Sequence, residues 1–133
     1  MIPVVFGLIE VALVDYLAAA LTARGETVPV YNNVPRERPP EYVLALRVGG
    51  AQSNLVMDRP RIVAECCAEV GVRAAELGAL VRALITATAP GWVGEIWVDR
   101  VVDLGLVYSP DPGTNLPRYL VTAELHVMGA ALT

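Results

Sequence analysis

Two long alternating segments joined by a proline-rich turn constrain this chain more than any other feature, because they commit its last quarter to neighbouring β-strands. From Tyr119 onward, Tyr119, Val121, Ala123, Leu125 and Val127 alternate with more polar neighbours up to Met128, the period of a half-buried strand. Glu95 to Tyr108 is extended in the same way, with Ile96, Val98, Val102, Leu104 and Leu106 in phase. Gly105 within it signals a bulge or a close approach. Between the two lies Ser109-Pro110-Asp111-Pro112-Gly113-Thr114-Asn115-Leu116-Pro117, whose prolines remove backbone donors and whose Asp-Pro-Gly favours turning. The short connection makes the pair antiparallel.

Helical spacing appears twice. Phe6 to Arg24 is rich in Leu, Ala and Val, and Arg24-Gly25 supplies a last-turn cation and a C-terminal glycine. Ile9, Leu13, Tyr16, Leu17, Ala20 and Leu21 form one stripe, while Leu8, Val11, Ala12, Val14 and Ala19 fill much of the remaining circumference. A helix of that kind is buried on several sides. Val72 to Thr88 repeats the pattern with Leu77, Leu80, Val81, Leu84 and Ile85, and Pro90-Gly91 stops it. Thr27 to Val34 reads as a short strand that Pro29 confines to an edge or a bulge. Tyr42 to Val48 reads as an interior strand, Ala51 to Met57 as a loop, and Arg61 to Ala68 as a strand with Ile62, Ala64, Cys66 and Ala68 on one apolar face. The predicted fold class is α+β: two helices on a mostly antiparallel sheet of about four to five strands, as a single domain over residues 1–133.

Composition bears on what such a domain does. At 133 residues one domain can bury roughly two thirds of its unfolded surface. Yet 55% of the residues are hydrophobic and only 18% charged, against about 45–50% and 25% in ordinary globular domains. We read the surplus as surface covered by identical neighbours. All ten basic residues are Arg, and the formal charge is -4, the wrong balance for a nucleic-acid binder. The absence of Lys reflects either interface preference for the planar guanidinium or, as the stronger explanation, a GC-rich genome. Ile2 to Leu21 approaches the length of a membrane span, but Glu10 and Asp15 interrupt it, each costing roughly 2.5–3.5 kcal/mol on insertion scales. It is therefore expected to belong to a soluble, unprocessed protein with no membrane contact. Adjacent Cys66 and Cys67 point to opposite faces of a strand and read as two free, small hydrophobes, consistent with a reducing cytoplasm.

Chemistry-bearing motifs are scarce. His126, the sole imidazole, sits on the polar face of its strand and is expected to be solvated. Glu95, Asp99 and Asp103 share a phase, but strand positions four apart lie roughly 13 Å from each other, too far for one cation. A solvated acidic face is the simpler reading. Gly49-Gly50 and Gly91/Gly94 form no phosphate-binding motif. No catalytic residue, cofactor site or metal site is expected. Trp92 and Trp97 read as core or interface anchors. Arg36-Glu37-Arg38, between prolines, is a solvated connector or a partner-binding loop. Arg59, Arg61 and Arg118 each adjoin a proline at a strand start, and some of them are expected to pair with acids such as Asp58, Glu65 or Glu124 of the same or a neighbouring subunit, with ordinary surface or intrachain pairs as the equal alternative.

In order along the chain, the apolar first helix, Val28-Pro29-Val30-Tyr31 with Val34-Pro35, Asp58-Arg59-Pro60-Arg61-Ile62-Val63-Ala64-Glu65, the second helix and Pro117-Arg118-Tyr119 resemble the tail-terminator (tail-completion) proteins of long-tailed phages, particularly those of actinobacteria. Cys66-Cys67 departs from that pattern, where an aromatic residue is more usual, as does the plain loop after Gly49-Gly50. The resemblance implies a structural virion protein with no enzymatic activity. It would form a ring, commonly a hexamer, that caps the head-proximal end of the tail tube, ends tube polymerisation and presents a surface to the head-tail connector. Double-stranded DNA would pass through the lumen without sequence-specific binding, and assembly would take place in the host cytoplasm. Arg36, Arg38, Arg59, Arg61, Trp92, Arg118 and Tyr119 are the interface candidates. The alternatives are another neck adaptor, such as a head-closure protein, and a small ligand-binding α+β domain.

Overall fold

A computed structural model describes residues 1–132. In chain order its elements are β1 (Val4–Val5), α1 (Ile9–Ala23), β2 (Val30–Tyr31), β3 (Tyr42–Gly49), β4 (Met57–Asp58), β5 (Arg61–Cys67), α2 (Gly71–Thr86), β6 (Gly91–Val93), β7 (Ile96–Tyr108), β8 (Arg118–Met128) and β9 (Ala130–Ala131). The class is α+β as expected, but the main sheet has seven strands, in the order β2-β3-β5-β8-β7-β6 with β4 also on β8. β1 and β9 form a separate two-stranded sheet. The expectation of four to five strands fell short because β4 and β6 span only two and three residues, too few to display a period. All pairings in the main sheet are antiparallel except that of β2 with β3. Of the extended Thr27–Val34 segment only Val30–Tyr31 pairs, and it lies at the sheet edge where Pro29 required it.

α1 buries Ile9, Leu13, Leu17 and Leu21, one residue per turn on a single face. It ends in a Schellman motif: Gly25 adopts φ 78°, its N–H donates to the Thr22 carbonyl, and the Glu26 N–H donates to that of Leu21. α2 buries Ala74, Leu77, Gly78, Val81, Leu84 and Ile85. The two helices join Val43, Ile62, Ala64, Val121, Ala123, Leu125 and Val127 in one core. The Tyr16 hydroxyl donates to the Leu84 carbonyl at 2.7 Å and ties the helices together. On the other side of the sheet Tyr42, Leu44 and Cys67 make a smaller cluster with Tyr31 and Leu46. Cys66 and Cys67 therefore occupy different clusters as free thiols, and burial pushes both thiols up.

The phase of β7 corrects the sequence expectation. Register shifts between Val98 and Arg100 and between Asp103 and Gly105 break the alternation, since each bulge inserts a residue and exchanges the faces. Val98, Val101 and Leu106 meet the core, whereas Val102 lies opposite Glu124 and Leu104 is exposed. Gly105, at φ 122°, occupies the second bulge as its sequence position suggested.

Candidate functional site

The strand and helix directions divide the molecule into two unlike ends. At one end converge the N-terminus of α1, the C-terminus of α2, the start of β7 and the C-terminal end of β8. There an open groove of about 880 Å³ is lined by Val5, Leu8, Val11, Trp92, Ile96 and Met128, among others. Trp92 is 67% exposed and meets Trp97 edge-on, with ring centroids 5.3 Å apart. Met1, Ile2, Leu55, Val56 and Leu132 are also exposed, and the Gly129 N–H donates to the Val56 carbonyl beside the groove. No helix among the described residues is long and apolar enough to cross a membrane.

Ion pairs hold the opposite end. Arg73, in the first turn of α2, reaches Glu26 at 2.5 Å and Glu41 at 2.7 Å, fastening the exit of α1 and the entry to β3 to one guanidinium. The hydrogen bond from Arg73 holds the Glu26 carboxyl below its usual range. Arg38 binds Asp111 at 2.5 Å, and Arg118 binds Glu65 at 2.9 Å and the Ser109 carbonyl at 2.8 Å. Asp111 is lowered, first by the Gly113 N–H that donates to it and then by Arg38 and Arg118. Burial raises the nearby Tyr42 phenol to about 12.

The structure distributes the interface candidates between these ends. Arg38 and Arg118 lie at the ion-paired end with intrachain partners, and Arg38, though exposed, is tied to Asp111. Arg36 is exposed and makes no ion pair among the described residues. Tyr119 lies on the helix side of the sheet against Tyr108, at a centroid distance of 5.3 Å. Trp92 marks the apolar end. Arg59 and Arg61 belong to the same end as Trp92. Arg61 is exposed, and the Nε of Arg59 is buried without a partner among the described residues. Asp58 pairs with the guanidinium of Arg47 at 2.7 Å and accepts from Arg59 only the backbone N–H, at 3.0 Å. Arg47 was not singled out in the sequence, because nothing local marks a cation whose acid lies on another strand.

His126 is half-buried, with Nε2 3.0 Å from Glu124 Oε2, and so is partnered, not merely solvated as expected. The signal was present as two residues on the same face two positions apart. Among Glu95, Asp99 and Asp103, only Asp103 has an ion-pair partner among the described residues, Arg82 of α2, which lowers its carboxyl. No group of three or more His, Cys, Asp or Glu side chains that could hold a metal occurs among the described residues.

No family model and no curated protein sequence matches the chain. Among solved structures it is similar to a chain described as "Virion of native gene transfer agent (GTA) particle", with a TM-score of 0.69, 18% identity, and coverage of 90% of this chain and 94% of that one. At that identity the likeness is one of fold.

Proposed function

We propose that this chain is a structural subunit of a phage-like virion, one that closes into a ring at the junction of tail and neck. The observation that carries the reading is the division into an apolar end and an ion-paired end. A subunit that caps a tube needs two unlike axial surfaces as well as two unlike flanks for head-to-tail closure. The fold likeness to a virion chain over nearly the full length of both supports it. In this reading the ring is a hexamer of tail-terminator type: one end docks on the last ring of the tail tube and stops its growth, and the other receives the head-tail connector. The formal charge of -4 favours a negative lumen that lets duplex DNA slide past without sequence-specific contact. No reaction is assigned to the chain, and the whole of residues 1–133 acts as one domain.

The groove beside Trp92 favours a second reading, a binding domain for a small apolar ligand, since pockets of this size and lining suit such molecules. Electron microscopy of the purified protein with isolated tail tubes separates the two. Rings seated on one end of the tubes are expected. Compact particles that never engage a tube, and that gain thermal stability from a hydrophobic small molecule, would overturn the virion reading.

A further inference from the structure

We propose that β2 of one copy pairs antiparallel with the open stretch of β7 in the next, so that the sheet runs on across the subunit boundary. The inference rests on the ring reading above and names the flanks through which the ring closes. β2 borders the sheet on one side. On the other, β6 pairs only with Ile96, Trp97 and Val98 of β7, so from Asp99 to Tyr108 that strand presents an edge with no strand on it among the described residues.

The two edges match in level. Val30 lies opposite Val43, and the row continues through Cys66 and Tyr119 to Tyr108. The next row runs from Tyr31 through Leu44, Glu65 and Leu120 to Val107. A second copy set alongside with no shift along the strands therefore brings Val30 opposite Tyr108 and Tyr31 opposite Val107. A flat ring requires this absence of axial rise.

Direction and hydrogen bonding agree as well. β2 is parallel to β3, and the steps β3–β5, β5–β8 and β8–β7 are each antiparallel, so β7 runs against β2. The Val43 N–H donates to the Pro29 carbonyl. By alternation the polar backbone groups of Val30 turn outward. The Ser109 N–H donates to the Arg118 carbonyl, so Ser109 and Val107 face β8 while Tyr108 and Leu106 present theirs to the open edge. Val30 and Tyr108 thus meet with donors and acceptors facing each other. Val30 and Tyr108 share the helix side, and Tyr31 and Val107 share the other.

The flanks are also complementary in character. Val107 and Tyr108 are 55% and 52% exposed, and Val34, just beyond β2, is exposed too. Arg36 follows, while Glu76 lies beside Tyr108 and Tyr119 in a shallow groove on α2. Neither Arg36 nor Glu76 has an ion-pair partner within the chain among the described residues, which suits a guanidinium meeting a carboxylate of the next copy.

The test is the double variant Tyr31→Cys with Val107→Cys. Within one chain the two positions are four strand spacings apart, roughly 19 Å, so a disulfide between them can form only between copies. Mild oxidation is expected to give a ladder of covalent oligomers on a non-reducing gel from the double variant and none from either single variant. In the unsubstituted protein, amide exchange at Leu106 and Tyr108 is expected to slow at least tenfold in rings relative to dilute monomer, a readout independent of how the variants fold. Rings that yield neither the ladder nor slower exchange would overturn the edge pairing and leave the ring reading standing. Protein that stays monomeric at high concentration in sedimentation would overturn both.

Discussion

Arg38 and Asp111, 73 positions apart, meet with Nη1 2.5 Å from Oδ2 and join the proline-flanked loop after β2 to the turn between β7 and β8. Asp111 also accepts the Gly113 N–H at 2.9 Å, so one carboxylate both shapes its own turn and holds the other loop against it. Asp111→Ala removes both contacts at a buried position. It is expected to cost about 1–2 kcal/mol, the lower part of the range for charged hydrogen bonds because Arg38 is partly solvated. Urea unfolding of the two proteins measures it.

The same residue sets a pH dependence. The folded Asp111 carboxyl is held below its ordinary value, so its stabilisation is complete above the unfolded pKa of about 3.9 and is lost as pH falls from there through the lowered folded value. Asp103 and Glu26 are lowered in the same sense. Acid titration of stability is expected to fall less steeply below about pH 4 in Asp111→Asn than in the unsubstituted protein. Identical slopes would remove Asp111 from the account.

Gly78 packs α2 tightly on the sheet, where an added Cβ would sit 3.1 Å from both Leu106 Cδ1 and Tyr119 Cβ. Gly78→Leu is expected to destabilise by roughly 1–3 kcal/mol through overpacking, despite the better helix former. Thermal unfolding is the check.

At the other end, Gly129 packs under the N-terminal strand. A Cβ there would meet Val4 Cγ1 at 2.5 Å and two Phe6 ring atoms at 2.9 Å. Gly129→Val is expected to displace β1 from β9 and open residues 1–6 to proteolysis, with far-UV circular dichroism nearly unchanged. Protection equal to that of the parent would contradict the packing.

Trp92 separates assembly from folding. Being 67% exposed, it loses little on substitution in the isolated chain. Trp92→Ser is expected to shift ΔG of unfolding by less than about 1 kcal/mol while weakening attachment to one of the two proposed axial partners, tail tube or connector, at least tenfold in a pelleting assay. A large loss of stability would place the ring in the core and defeat that assignment.

Much of this architecture could be read from the chain because its long elements repeat their period many times. Fifteen residues of α1, sixteen of α2 and eleven of β8 each carry a clear spacing, and Arg24-Gly25 fixed the end of α1. β7 was legible as a strand but not in its faces, since two bulges reverse the alternation and only Gly105 announces one of them. The candidate site was legible residue by residue and not as a constellation. Arg118 meets Glu65, one of three acids that the sequence offered to three arginines without matching them, and Arg47 with Asp58, Arg73 with Glu26 and Glu41, and Arg38 with Asp111 join distant segments. Their meeting is decided by strand order, which no local pattern encodes.

The unlike ends of the molecule give it opposite responses to ionic strength. Contacts made through the Arg38, Arg73 and Arg118 end, where guanidinium and carboxylate groups gather, weaken as electrolyte shortens the reach of charge. Contacts made within the Trp92 groove itself, lined mostly by apolar side chains, are less sensitive to that screening and tighten in excluded salts such as sulfate, whereas any made through Arg59 and Arg61 beside it share the weakening. In the ring proposed above, a brine wash should therefore loosen a neighbour held at the ion-paired end before one held in the groove.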